Sequence, residues 1–102
     1  MDATIDICGH LYQIKLIDNL KNEDTGEKAW GRVNNNLQII ELEKDVSVSR
    51  LGETLLHEIL HAIDSSIDCG LDEQRVQVLA NSLNQLGLGA HLVGKLDLVT
   101  SR

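Results

Sequence analysis

The hydrophobic period of this chain changes once, near residue 45, and that change limits the folds open to it. Before it, apolar and polar residues alternate in twos. Thr4-Ile5-Asp6-Ile7-Cys8 and Leu11-Tyr12-Gln13-Ile14-Lys15-Leu16-Ile17 read as two strands, with Gly9-His10 turning between them, so residues 4–17 predict a hairpin. Residues 18–28 are polar, contain Gly26 and read as a loop. Two more strand-like runs follow, Ala29-Trp30-Gly31-Arg32-Val33 and Leu37-Gln38-Ile39-Ile40-Glu41-Leu42, separated by an Asn34-Asn35-Asn36 turn.

After residue 45 the repeat becomes helical. Leu51, Leu55, Ile59, Ala62 and Ile63 form one stripe, widened by Leu56, Leu60 and Ile67. Ser47 or Ser49 supplies an N-cap, and Cys69-Gly70 a stop. A second helix starts near Leu71-Asp72-Glu73 and carries a stripe of Val76, Leu79, Ala80, Leu83 and Leu86 up to Gly87 and Gly89. Strands followed by helices predict an α+β fold: a short antiparallel or mixed sheet packed against two helices. One domain spans residues 1–102, with 1–45 mainly β, 47–87 helical, and an apolar tail from 88 to 102 (Leu92, Val93, Leu96, Leu98, Val99) left without an assignment.

Composition narrows the function. Nine basic residues against 16 acidic ones give a net charge of −7, with no basic stripe, which argues against nucleic acid as a partner and weakly favours basic or neutral protein segments. No apolar run approaches the roughly 20 residues of a membrane helix. The start, Met1-Asp2-Ala3-Thr4-Ile5-Asp6, lacks the pattern of a secretory signal, so the expected location is cytoplasmic. Cys8 and Cys69 are expected to be free thiols, buried or inert. With no Phe and no Pro, the core must come from Leu, Ile and Val, with Trp30 as an anchor beneath the helices.

Inside the first predicted helix stands His57-Glu58-Ile59-Leu60-His61, an H-E-x-x-H pattern. Residues four apart share a helix face, so both imidazoles can reach one metal ion, and Glu58 lies beside it as general base for a water whose pKa the metal lowers. A catalytic zinc site takes three protein ligands and keeps an open position. Glu73 is the candidate third ligand, because it shares the apolar face of the second helix, where an unpaired carboxylate is unfavourable; the alternative is a first-turn partner of the helix dipole. Asp64, Asp72, His91 and His10 compete. Asp64, one turn after His61, suits a hydrogen bond to that ring better than direct ligation. His91, His10 and Tyr12 are candidates to stabilise an oxyanion. The longer H-E-x-x-H-x-x-G-x-x-H extension is absent, since Asp64 and Ile67 occupy those positions.

The block TLLHEILHAI at residues 54–63, followed by LDEQRVQVLA at 71–80, resembles the small phage- and prophage-encoded zincin-like metallopeptidases, minimal gluzincins of about a hundred residues. Residues 31–42 resemble the strand pair before the motif helix in that family. The resemblance covers roughly residues 30–86. It implies one zinc ion held by His57, His61 and Glu73, Glu58 as general base and acid, and a peptide or protein substrate added in extended form along residues 36–42 as the edge strand. The alternative is a zinc-binding module of the same fold, weak or inactive as an enzyme, that acts through protein partners; a fourth protein ligand would mark it.

Overall fold

The alternating residues at the start of the chain do pair on themselves. In the computed structural model, which describes residues 3–98, strand β1 (Ala3–Ile7) runs antiparallel to β2 (His10–Ile17), with Ile7 opposite His10. The turn is therefore Cys8-Gly9, one residue earlier than the sequence suggests. Both turn residues take positive φ (52° and 86°), the handedness that matches the twist of a two-residue hairpin. Asp6 Oδ1 accepts the Gly9 N–H at 2.8 Å and holds the turn closed. His10 starts the second strand and is exposed.

Strands β3 (Gly31–Asn34) and β4 (Ile39–Glu43) form the second antiparallel pair. Their placement departs from expectation. β4 pairs in parallel with β2, Ile40 opposite Ile14 and Leu42 opposite Leu16, so the order is β1-β2-β4-β3. The strand within residues 36–42 is thus central, and β3 is the edge. The alternation could not reveal this, because an edge strand and a central strand share the same period.

Glu43, at the end of β4, organises the long loop before β3. Its side chain is only 1% exposed. It accepts N–H bonds from Leu20 (2.8 Å), Asn19 (3.2 Å) and Asp45 (3.2 Å), and pairs with Lys28 Nζ at 3.2 Å. The Asp45 N–H above all, with those of Leu20 and Asn19 and the Lys28 ammonium, holds the carboxyl down at about 2 from an ordinary 4.5, against the opposing effect of burial.

Helix α1 (Val48–Ile67) starts at Ser47, whose hydroxyl accepts the Arg50 N–H at 3.1 Å, and ends at Asp68 in the left-handed region. It lies on the sheet through Leu51, Leu55 and Ala62, which join Ile7, Tyr12, Ile14, Ile40 and Leu42 in one hydrophobic core. Helix α2 (Glu73–Gln85) is capped by Asp72, which accepts the Arg75 N–H at 2.8 Å. It buries only Val76 and Ala80; Leu79 and Leu86 of its predicted stripe face solvent, 39% and 82% exposed. Trp30 is likewise 43% exposed and not a core anchor. Both cysteines are free, as expected, but exposed and not buried. The fold is α+β, a four-stranded mixed sheet against three helices, and no helix among the described residues is long and apolar enough to cross a membrane.

The third helix, α3 (Leu88–Lys95), occupies part of the tail that sequence left unassigned; Val99 lies outside the described residues, as do Met1 and Asp2. α3 crosses α1 backbone to backbone. A Cβ on Gly52 would meet the Gly89 carbonyl carbon at 2.7 Å, and one on Gly89 would meet Gly52 at 2.8 Å. Such a close crossing exists only because both residues are glycine.

Two outcomes follow from this packing. Gly52→Ala gains about 1 kcal/mol of helix propensity but forces main chains apart, an overpacking penalty of about 1–3 kcal/mol, so a net loss of stability is expected in urea unfolding. Gly94→Ala, in the same α3 with open space at its Cβ, gains stability instead; the opposite signs at the two positions are the check. Glu43 carries the second. A group whose folded pKa is depressed stabilises the fold above its unfolded pKa and loses that contribution as pH falls through the folded value. The stability advantage of wild type over Glu43→Gln should therefore shrink between about pH 4.5 and about pH 2, measured by denaturant midpoints across that range.

Candidate metal centre

One flank of α1 carries the chemistry while the opposite side packs on the sheet. His57 and His61, four residues apart, present their rings edge to face with centroids 4.9 Å apart. Their Nε2 atoms approach to 3.2 Å. Glu73, the first residue of α2, closes the triangle with Oε1 at 2.8 Å from His57 Nε2 and Oε2 at 2.9 Å from His61 Nε2. It is the one group of three His, Cys, Asp or Glu side chains among the described residues whose ligand atoms converge tightly enough to hold a metal ion.

The donor set, two ring nitrogens and a carboxylate, could hold a cation. Each Nε2 has one proton or one lone pair, yet each faces two close neighbours, the other ring nitrogen and a carboxylate oxygen. Two Nε2–H groups, each aimed at its own Glu73 oxygen, satisfy the carboxylate and leave the 3.2 Å approach of the ring nitrogens without a hydrogen bond. Two ring nitrogens bound about 2.0–2.1 Å from one tetrahedral ion lie roughly 3.3 Å apart, close to the 3.2 Å separation here.

Glu73 reaches the cluster from the first turn of α2, the position given as its alternative, and not from the apolar face. Its side chain is 65% exposed and sits at the tip of α2, not on a buried face. The dipole position and the convergence on the two rings therefore hold together. Glu58 is the buried carboxylate of the site, 7% exposed, and burial, aided by the Glu73 charge, raises its carboxyl to about 7 from 4.5. A cation in the cluster would act in the opposite direction.

A cleft of about 280 Å³ leads to His57 and Glu58. Arg50, Glu53 and Thr54 form its α1 wall at helical spacing with His57 and Glu58; Gln77 and Ala80 supply α2, and Ala29, Trp30 and Gly31 the approach to β3. The spacing from Arg50 to Glu58 was legible in sequence, but nothing there marked it as a cavity wall. The Trp30 ring lies under the Arg50 guanidinium at 4.8 Å and near Lys28 Nζ at 5.4 Å. At Gly31 a Cβ would collide with Thr54 Cγ2, so glycine lets β3 close onto α1 here.

Several candidates lie elsewhere. Tyr12 is 2% exposed in the core, with its hydroxyl donating to Asn35 Oδ1 at 2.8 Å, which accounts for its polar atom; burial pushes its phenol up. His91 is exposed on α3 and His10 on β2, and neither belongs to the convergent group. Asp72 serves as the α2 cap. Asp64 does not bond to His61; its carboxylate accepts from the loop between α1 and α2 instead. The edge strand beside the site is β3 and not residues 36–42, because β4 is enclosed between β2 and β3. Compared with known protein families, curated proteins and solved structures, the chain gives no significant match.

Proposed function

We propose that this protein is a minimal zinc-dependent metallopeptidase, and the observation that carries the reading is the convergence of His57, His61 and Glu73 beside a buried Glu58. Two imidazoles and a carboxylate are a zinc ligand set, and with no fourth ligating side chain in the group among the described residues, the donor count favours an open, catalytic site over a closed structural one. The resemblance of residues 54–63 and 71–80 to small zincin-like peptidases points the same way. When bound there, the ion supplies Lewis acidity to a water molecule and to a substrate carbonyl.

The protein's own residues do the rest. Glu58 takes a proton from the attacking water and passes it to the leaving amine nitrogen, and its partly desolvated carboxyl suits both directions of transfer. β3 is the terminal strand of the sheet, and an open groove of about 670 Å³ is lined by its residues 31–34, by Asn35 and Asn36, and by Asn22, Glu23 and Asp24 of the preceding loop. An extended peptide added to that edge would bring its backbone toward Gly31 and the cleft wall at Thr54 and His57.

Two measurements test this. Native protein should bind one zinc ion per chain by elemental analysis, with a rise in unfolding temperature on titration, since a ligand at a hundred times its Kd adds about 2.7 kcal/mol. His57→Ala should lose both; a wild-type protein with no affinity for zinc at neutral pH refutes the site. Glu58→Gln should retain the ion and lose peptide cleavage by about 10²–10⁴-fold, the usual contribution of general acid–base catalysis. Cleavage of a peptide library at the wild-type rate by Glu58→Gln would exclude this mechanism.

A further inference from the structure

Among the three converging side chains, Glu73 is the one least held by packing. It is 65% exposed, and α2 begins at it, so no preceding helical turn fixes its backbone. Its approach to both rings depends on where the short connection 68–72 delivers the chain.

That connection is tied to α1 by one residue. Asp64 Oδ1 accepts the Leu71 N–H at 2.9 Å and the Cys69 thiol at 3.6 Å. The Asp64 carbonyl accepts the Asp68 N–H at 2.7 Å. Asp68 and Gly70, both at positive φ (50° and 74°), reverse the chain so that Leu71 comes back over the last turns of α1. From Leu71 it is two residues to Glu73, with Asp72 between them capping α2 through the Arg75 N–H. The Leu71 bond, aided by the Cys69 thiol, also holds the Asp64 carboxyl below its ordinary range, which keeps it an ionised, strong acceptor.

We infer that Asp64 is a positioning residue for the metal centre that acts through Glu73: by clamping Leu71 to α1 one turn beyond His61, it sets the start of α2 where the Glu73 carboxylate meets both rings. The inference rests on reading the cluster as a metal site. It assigns Asp64 a role distinct from orienting His61, because every side-chain bond it makes goes to the loop. Outer contacts of this kind typically change metal affinity by about 10–100-fold.

The test uses the full chain with zinc alone, in competition with a chromophoric chelator, and cobalt(II) as a spectroscopic probe of the ligand set. Asp64→Ala should weaken zinc binding by about 10–100-fold and alter the cobalt visible bands as Glu73→Gln does. Asp64→Asn, which keeps an oxygen for the Leu71 N–H, should recover most of the affinity. In a Glu73→Gln background, Asp64→Ala should add less than about twofold, since the two changes break one linkage. Wild-type affinity in Asp64→Ala overturns the inference, and so does an equal loss in both backgrounds, which would place the effect on His61 or on folding. If Asp64→Ala does not fold by circular dichroism, Asp64→Ser carries the same comparison. A wild-type chain that binds neither ion refutes the metal site itself; a wild type that binds beside an unaffected Asp64→Ala refutes only the role of Asp64.

Discussion

The packing of α1 on the sheet is the constraint on which the rest of the molecule depends. Leu51, Leu55 and Ala62 are all but fully buried against β-strand residues such as Ile40 and Leu42. Each large aliphatic side chain buried this way contributes about 1.5–3 kcal/mol, so together they fix the rotation of the helix. Once that rotation is fixed, His57, Glu58 and His61 have one place to go, the flank between the sheet and α2. Glu58 shows the consequence. Its carboxyl is desolvated and raised to about 7, an unfavourable position for a lone acid that a well-packed helix can sustain. The Gly52–Gly89 crossing locks the first part of the same helix from the other side.

Local chemistry was legible in the sequence, and long-range pairing was not. The change of period gave the strand-then-helix order, and the four-residue spacing put two imidazoles on one face, because both signals lie within a few residues. The position of β4 depends instead on a parallel pairing with β2, some 26 residues away along the chain (Ile14 with Ile40), and nothing in an alternating run encodes its neighbours. The burial of Glu43 is not legible for the same reason: besides the nearby Asp45 its partners Asn19, Leu20 and Lys28 are remote in sequence, and it reads as one more surface acid in an acid-rich stretch. α3 was hidden by its glycines. Gly89 and Gly94 argue against a helix by propensity, yet Gly89 is what allows the close crossing.

Trp30 and the outer members of the α2 stripe, Leu79 and Leu86, face solvent although Val76 and Ala80 of the same stripe are buried, because large apolar residues are not always core. The chain has more apolar surface than one small core can enclose. Trp30 meets two cations at the mouth of a cleft, and Val78 and Leu79 stay on the outer side of α2 while the small Ala80 and the β-branched Val76 face inward. Small residues at the contact bring α2 close to α1, and closeness, more than buried area, is what the site requires of it.

That balance ties the stability of α2 to the centre it completes. With only Val76 and Ala80 fully buried, its apolar anchorage is modest for 13 residues. Polar ties at both ends supplement it: Asn84 Nδ2 donates to the Ser49 carbonyl at 3.3 Å, and Asp64 holds Leu71 at 2.9 Å. Glu73 adds the third tie, two short contacts to rings on α1. Without a cation these are contacts between one carboxylate and two imidazoles. A divalent ion held by His57, His61 and Glu73 would add its binding energy directly to the docking of α2. In a chain without phenylalanine, whose sheet and α1 already hold most of the core, the proposed centre is thus where the second helix gains what its own apolar face cannot supply.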